Sequence, residues 1–136
     1  MSSVTVPSIR GGIVEKFRDS DRLTYTVGAG QVATGGLLVE AVTGVDRQCK
    51  LAAAASVRCQ GVAMHDGVPG DSVTVAAAGV FMLTASGAIV AGDRLICAAA
   101  GQVSAAGATP DARTVIGRAL ADIANAAQGP CAILLA

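Results

Sequence analysis

Hydrophobic positions recur along this chain in short alternating runs. In LTYTVGAG, Leu23, Tyr25 and Val27 alternate with two threonines, which is typical of a strand with one buried face. Further runs at 57–64 and 72–86 are separated by the turn signals Asp-Gly and Pro-Gly in MHDGVPGD. Short strands, turns every roughly 8–12 residues and few helix signals predict an all-β fold, either a small barrel or a compact sandwich.

Three segments carry local predictions. Gly35–Gly36 in VATGGLLVEAV is a two-glycine hairpin signal. SVTVAAAGVFMLTAS, from Ser72 to Ser86, reads as a hairpin-like pair of strands. GQVSAAGATPDAR, from Gly101 to Arg113, is rich in small residues and is predicted to be a long loop.

An uncharged stretch from Ser72 to Gly92 requires that a transmembrane helix be considered, since about 20 apolar residues span a bilayer. Gly79, Gly87 and several hydroxyl side chains interrupt this stretch at turn-like intervals. The pattern therefore favours strands, and no membrane partner is expected.

Two glycines recur at a fixed spacing and predict a duplicated β unit. Gly36 and Gly61 are followed 56 positions later by Gly92 and Gly117, with matching apolar flanks. The repeat covers about 32–75 and 88–135. Gly36, Gly92 and Asp93 are predicted to form turns, whereas Gly61 and Gly117 lie inside strand patterns, where glycine marks a bulge or a close backbone approach.

The first 22 residues differ in character from the rest. They hold seven of the twenty charged residues, together with Pro7 and the pair Gly11–Gly12. Proline cannot donate to a strand ladder, and a helix from Ile13 to Leu23 would lack a strong cap. We therefore expect an extended N-terminal arm (1–22) followed by a single β domain (23–136).

Composition narrows the possible functions. Hydrophobic residues make up 52% of the chain, yet it has no Trp, one Tyr and two Phe. Small aliphatic side chains bury little area each, so the subunit is expected to gain stability by oligomerising. Ten basic and ten acidic residues give zero net charge, and this balance predicts no nucleic-acid partner.

No motif for catalysis or metal binding emerges. Cys49, Cys59, Cys97 and Cys131 form no CxxC pair and there is one histidine, His65, so zinc-site spacing is absent. There is no GxSxG elbow, no phosphate-binding GxxxxGK[ST] loop and no signal-peptide pattern at the start. We expect reduced thiols, a turn role for His65, and no enzyme activity, catalytic residues, cofactor or metal.

The second repeat carries a family resemblance. AIVAGDRLICAAAGQV followed by ARTVIGRALADIANAAQGPCAILLA is similar to the C-terminal half of small tailed-phage capsid decoration proteins, and the first repeat fits the same pattern less tightly. The resemblance covers about Val27 to Ala136. It implies a β body of barrel or tulip type, located on the virion exterior after assembly in the host cytoplasm.

The resemblance also implies a head-stabilising protein that binds the major capsid protein, as a homotrimer at three-fold positions. An N-terminal arm often touches the capsid protein in such families. The expected capsid-binding residues are the apolar and basic side chains of the arm: Val4, Val6, Ile9, Arg10, Lys16, Arg18 and Arg22. The alternative is another β-barrel structural or interaction protein, such as a tail, baseplate or shell component.

Overall fold

A computed structural model describes residues 22–135, which form ten strands and two short 3₁₀ turns. The strands are β1 (Arg22–Val27), β2 (Leu38–Ala41), β3 (Gln48–Leu51), β4 (Cys59–Ala63), β5 (Ser72–Ala76), β6 (Ala78–Thr84), β7 (Arg94–Cys97), β8 (Val103–Ala105), β9 (Val115–Ala119) and β10 (Gln128–Leu134). The turns are Ala99–Gly101 and Ala112–Thr114. The predicted all-β class is confirmed.

The first five strands close into a small barrel, in the order β1-β3-β2-β4-β5. Strand β1 closes the barrel by pairing antiparallel with β5 and parallel with β3. The parallel contact is short and joins Thr26 to Gln48 and Val27 to Cys49. Closure of the five short strands into a barrel buries the apolar side that alternation along each strand creates.

The last five strands form a sheet in the order β6-β10-β9-β7-β8, with antiparallel neighbours throughout. Its two outer strands, β6 and β8, meet at an isolated parallel bridge between Ala85 and Val103. The N–H of Ser86 also donates to the Val103 carbonyl at 2.7 Å. This sheet is therefore a second barrel, nearly closed, with the strand order of the first.

Strand registers of the two barrels correspond pair by pair. Leu38 faces Val62 across β2 and β4, and 56 positions later Arg94 faces Arg118 across β7 and β9. The first strand of each barrel follows a different offset, because the equivalent residues of β6 lie 58 positions after those of β1. Thr24 of β1 faces Thr74 of β5, and the equivalent Met82 of β6 faces Pro130 of β10. The structural equivalence thus includes the strand preceding the sequence repeat.

Both predicted hairpins are wrong. β5 and β6 are separated only by Ala77, yet β5 pairs with β1 and β4 whereas β6 pairs with β10. The single alanine is the crossing point between the barrels. Gly35–Gly36 follows an isolated bridge between Ala33 and Gly67, so its turn does not join two paired strands.

The predicted loop from Gly101 to Arg113 contains β8 and so is not wholly irregular. The uncharged stretch from Ser72 to Gly92 forms β5, β6 and the turn after them. Within residues 22–135, no helix has the length and apolar character needed to span a bilayer.

Two groups of buried side chains hold the molecule together. The interior of the first barrel consists of Val27, Ala33, Val39, Cys49, Ala63, Val73 and Val75. The larger cluster fills the second barrel and includes Leu38, Ala52 and Val62 from the outer face of the first barrel. Burying a leucine or valine side chain stabilises by about 1.5–3 kcal/mol, so this shared cluster fastens the two barrels to each other.

Candidate functional site

The glycines Gly36 and Gly92 build the same turn in both barrels. Their φ angles are +86° and +89°, a region that glycine adopts without the steric penalty of a side chain. The Gly36 N–H donates to the Ala63 carbonyl at 2.8 Å, and the Gly92 N–H donates to the Ala119 carbonyl at 2.9 Å. These hydrogen bonds tie each turn to the end of a strand, which is an architectural role.

Aspartates complete the turns. Asp93 Oδ2 accepts from the Val90 N–H at 3.0 Å within its own turn. Asp66 and Asp122 each accept across the barrel end, from the N–H groups of Gly35 and Ala91, both at 2.8 Å. Asp122 was not among the residues predicted from the sequence. It lies 56 positions after Asp66, so the repeat spacing contained the signal that could have found it.

Gly61 and Gly117 lie where two strands pass too closely for a side chain. A Cβ atom at Gly61 would collide with the Ala76 carbonyl oxygen, and one at Gly117 would collide with the Ala132 carbonyl oxygen. The strand pairing also shifts register at both places, between β2 and β4 and between β7 and β9. Both glycines shape the barrels.

The potentially reactive side chains are poorly placed for catalysis. The four cysteines are free; Cys49, Cys97 and Cys131 are buried and Cys59 is partly buried. A hydrogen bond between the thiols of Cys59 and Cys97 lowers the pKa of Cys59 and raises the pKa of Cys97. His65 is exposed, and its Nε2 accepts from the Thr74 N–H at 3.3 Å. Nowhere in residues 22–135 do three His, Cys, Asp or Glu side chains cluster as a metal site would require.

An exposed apolar face lies on β6 and β10. Val80 is 61% exposed, Met82 55% and Leu134 74%. Ladder pairs place them on one side of the sheet, with Val80 opposite Ala132 and Met82 opposite Pro130. We call these five residues the apolar face.

The first barrel shows that this face is not required by the fold. Arg22 and Thr24 of β1 occupy the positions of Val80 and Met82, and Thr74 of β5 that of Pro130, in a ladder of the same register. Because the same backbone forms with polar side chains there, the fold does not explain the exposed valine and methionine of the second barrel. Exposed apolar patches of this kind mark interaction surfaces.

Most of the predicted capsid-binding residues lie outside the described residues: Val4, Val6, Ile9, Arg10, Lys16 and Arg18. Arg22 is described; it is the first residue of β1, exposed, and paired with Ala76.

The molecule consists of two small barrels with a shared core, and it has aspartate-braced turns and an exposed apolar face. These features are typical of a structural β protein that acts by binding other proteins. The family profile of phage cement proteins matches residues 17–135, so the chain belongs to the phage cement protein family. This confirms the predicted relationship to capsid decoration proteins, and it identifies the chain as a structural protein of the phage head, located at the virion capsid.

Solved structures agree on the fold. The chain is similar to the N base of head fiber gp8.5 in bacteriophage phi29, with a TM-score of 0.64 and 23% sequence identity over 82% of this chain and 93% of that chain. No curated protein sequence matches the chain.

Proposed function

We propose that this protein binds the exterior of the assembled phage head as a homotrimer at three-fold positions and stabilises the shell there. Membership of the cement family supports the head as its target. The single observation that carries self-association is the apolar face, since Val80 and Met82 are strongly exposed where the first barrel has Arg22 and Thr24. The protein acts by binding and not as an enzyme, with neither nucleic acid nor membrane as a partner.

The apolar face supplies the contact between subunits. Burial of exposed apolar area stabilises by about 25 cal/mol per Å², and the strongly exposed Val80, Met82 and Leu134 have the most area to bury. Packing around a symmetry axis also suits a protein whose own core contains few large side chains.

The arm contributes one attachment to the capsid. Val4, Val6 and Ile9 are proposed to add a strand to an exposed sheet edge of the major capsid protein. Arg10, Lys16, Arg18 and Arg22 are proposed to pair with acidic groups of the shell, and the exposure of Arg22 at the start of β1 is compatible with this role. Gly36, Gly92 and Asp93 form turns, and Gly61 and Gly117 allow close approach of neighbouring strands. These five residues are proposed to support the barrels.

A measurement of the molecular mass in solution tests whether the protein is a trimer. We expect the wild-type protein to have three times the subunit mass, and Met82→Asp to lower the mass towards one subunit because burial of a carboxylate is costly. Thr24→Asp places the same charge at the equivalent position of the first barrel and should leave the trimer intact. A monomeric wild-type protein would disprove this part of the proposal.

Removal of residues 1–21 tests the arm. We expect the truncated protein to keep its far-ultraviolet circular dichroism and to bind undecorated heads more weakly in co-sedimentation. Undiminished binding would eliminate the arm as an attachment site. Failure of the full-length protein to bind heads at all would instead contradict the proposed function.

A further inference from the structure

A groove with two arginines runs along the outer side of the second barrel. It encloses about 560 Å³ and is lined by Gly92, Arg94, Val115, Gly117, Arg118, Ala132 and Leu134. Arg94 on β7 and Arg118 on β9 stand directly opposite each other in the strand ladder, and both are exposed. We call this feature the arginine groove; it borders the apolar face at Ala132 and Leu134.

The first barrel has the equivalent surface, and there it is covered. Leu38 and Val62 occupy the positions of Arg94 and Arg118, and they face each other in the same way. They are 0% and 2% exposed because they pack into the cluster that fills the second barrel. This side of the barrel is therefore a docking surface in one copy, and its counterpart in the other copy lies open.

The side chains of the open surface specify a different partner. Apolar Leu38 and Val62 accept an apolar neighbour, whereas two guanidinium groups are complementary to carboxylates or other anions. Like charges directly opposite each other on adjacent strands are destabilising. Within the described part of the chain, no carboxylate forms an ion pair with Arg94 or Arg118. An acidic partner would remove this repulsion and form charge-assisted hydrogen bonds.

We propose that the arginine groove is a second attachment site for the head, and that it receives an acidic segment of the shell. The carboxylates of this segment pair with Arg94 and Arg118, while a small apolar side chain packs against Val115. This inference rests on the proposed function, since it assigns the shell as the partner. It differs from the arm in that the described barrel itself makes the contact.

Charge reversal in the groove tests the inference. The variant carrying Arg94→Glu and Arg118→Glu should bind undecorated heads at least about tenfold more weakly than wild type, because attraction becomes repulsion. The control carries Arg47→Glu and Arg58→Glu, which change net charge equally at exposed positions of the first barrel. We expect its affinity to stay within about twofold, and circular dichroism melting checks that both variants fold.

The outcomes separate the groove from the wider proposal. If the wild type binds heads and the groove variant binds them with the same affinity, the groove proposal is overturned and the proposed function stands. If the wild type does not bind heads at all, the proposed function is overturned. Equal weakening by both variants would show general electrostatics and refute a specific site. Loss of the trimer in the groove variant would make the groove a contact between copies and refute an acidic shell segment.

A binding experiment with two probes shows whether the arginine groove prefers carboxylates or the phosphates of nucleic acid. Fluorescence anisotropy with labelled poly-glutamate and with a labelled DNA oligonucleotide of equal length measures the preference of the free protein. We expect the wild type to bind poly-glutamate, with affinity falling as salt rises, and the groove variant to lose this binding. Preference for DNA that depends on Arg94 and Arg118 would refute an acidic protein partner.

Discussion

Two glycines at equivalent positions show how single residues constrain these barrels. Gly61 and Gly117 have no side chain because a backbone carbonyl oxygen of the neighbouring strand occupies the space. The sequence indicated a special role for both residues, because they are glycines within strand patterns and lie 56 positions apart. It could not indicate which carbonyl group lies next to each glycine, because that carbonyl belongs to β5 or β10, which are distant in the chain.

Gly117→Ala is expected to destabilise the protein by more than about 2 kcal/mol, since the colliding atoms are backbone and cannot rotate away. Gly107→Ala provides the control: its φ is +80° but no atom lies near its Cβ position. That change should cost only about 1–2 kcal/mol of conformational strain. Urea unfolding measures both, and equal losses would contradict the steric explanation.

The thiols provide a second test at this scale. Cys59 is the partly buried cysteine, and the hydrogen bond from the Cys97 thiol lowers its pKa. Because the thiolate is the reactive form, Cys59 should be alkylated fastest of the four, and its rate should level off at a lower pH than that of an ordinary thiol. Mass spectrometric mapping after brief iodoacetamide treatment checks this order. Cys97→Ala should slow the reaction at Cys59 near neutral pH, and an unchanged rate would argue against the hydrogen bond.

At the scale of elements, the strands were more predictable than their pairing. Alternation in LTYTV and SVTV identified β1 and β5, because the two faces of a strand meet different environments. The hairpin predictions failed because local turn signals do not determine which strand becomes the neighbour. Ala77 could end a hairpin or pass between barrels, and only the positions of β1 and β10 distinguish these outcomes.

The aspartate-braced turns of the two barrels are predicted to contribute equally to stability. Asp122→Ala removes the acceptor of the Ala91 N–H, and Asp66→Ala removes that of the Gly35 N–H. Each should lower the free energy of unfolding by about 1 kcal/mol, the typical net value of such a bond. Asp122→Asn retains an oxygen acceptor and should recover most of the loss. Denaturant titration measures the three variants, and a loss at only one turn would show that the turns are not energetically equivalent.

For the whole molecule, the shared cluster predicts cooperative unfolding. Leu38, Ala52 and Val62 belong to the first barrel but are buried with the interior of the second. Neither barrel can therefore open without exposing apolar surface of the other, and we expect one unfolding transition. Thiol labelling across a denaturant series compares Cys49, inside the first barrel, with Cys131, inside the second.

Both cysteines should become reactive at one midpoint, and Val62→Ala should lower that midpoint for both, with a loss of about 1–3 kcal/mol. A conservative change at an exposed position, Val68→Ala, is the control and should leave the midpoints unchanged. Separate midpoints for Cys49 and Cys131 would mean that the barrels unfold independently.

By itself, the sequence determined the all-β class, the spacing of the repeat and the absence of a recognisable catalytic motif, because alternation, glycine spacing and composition are local properties of the chain. The tertiary structure alone decided which strands pair, which outer surfaces are covered and which stay open. Leu38 and Arg94 occupy equivalent positions in equivalent strands, yet one is fully buried and the other exposed. The difference arises because the second barrel covers the first, and no described part of the chain covers the second in the same way.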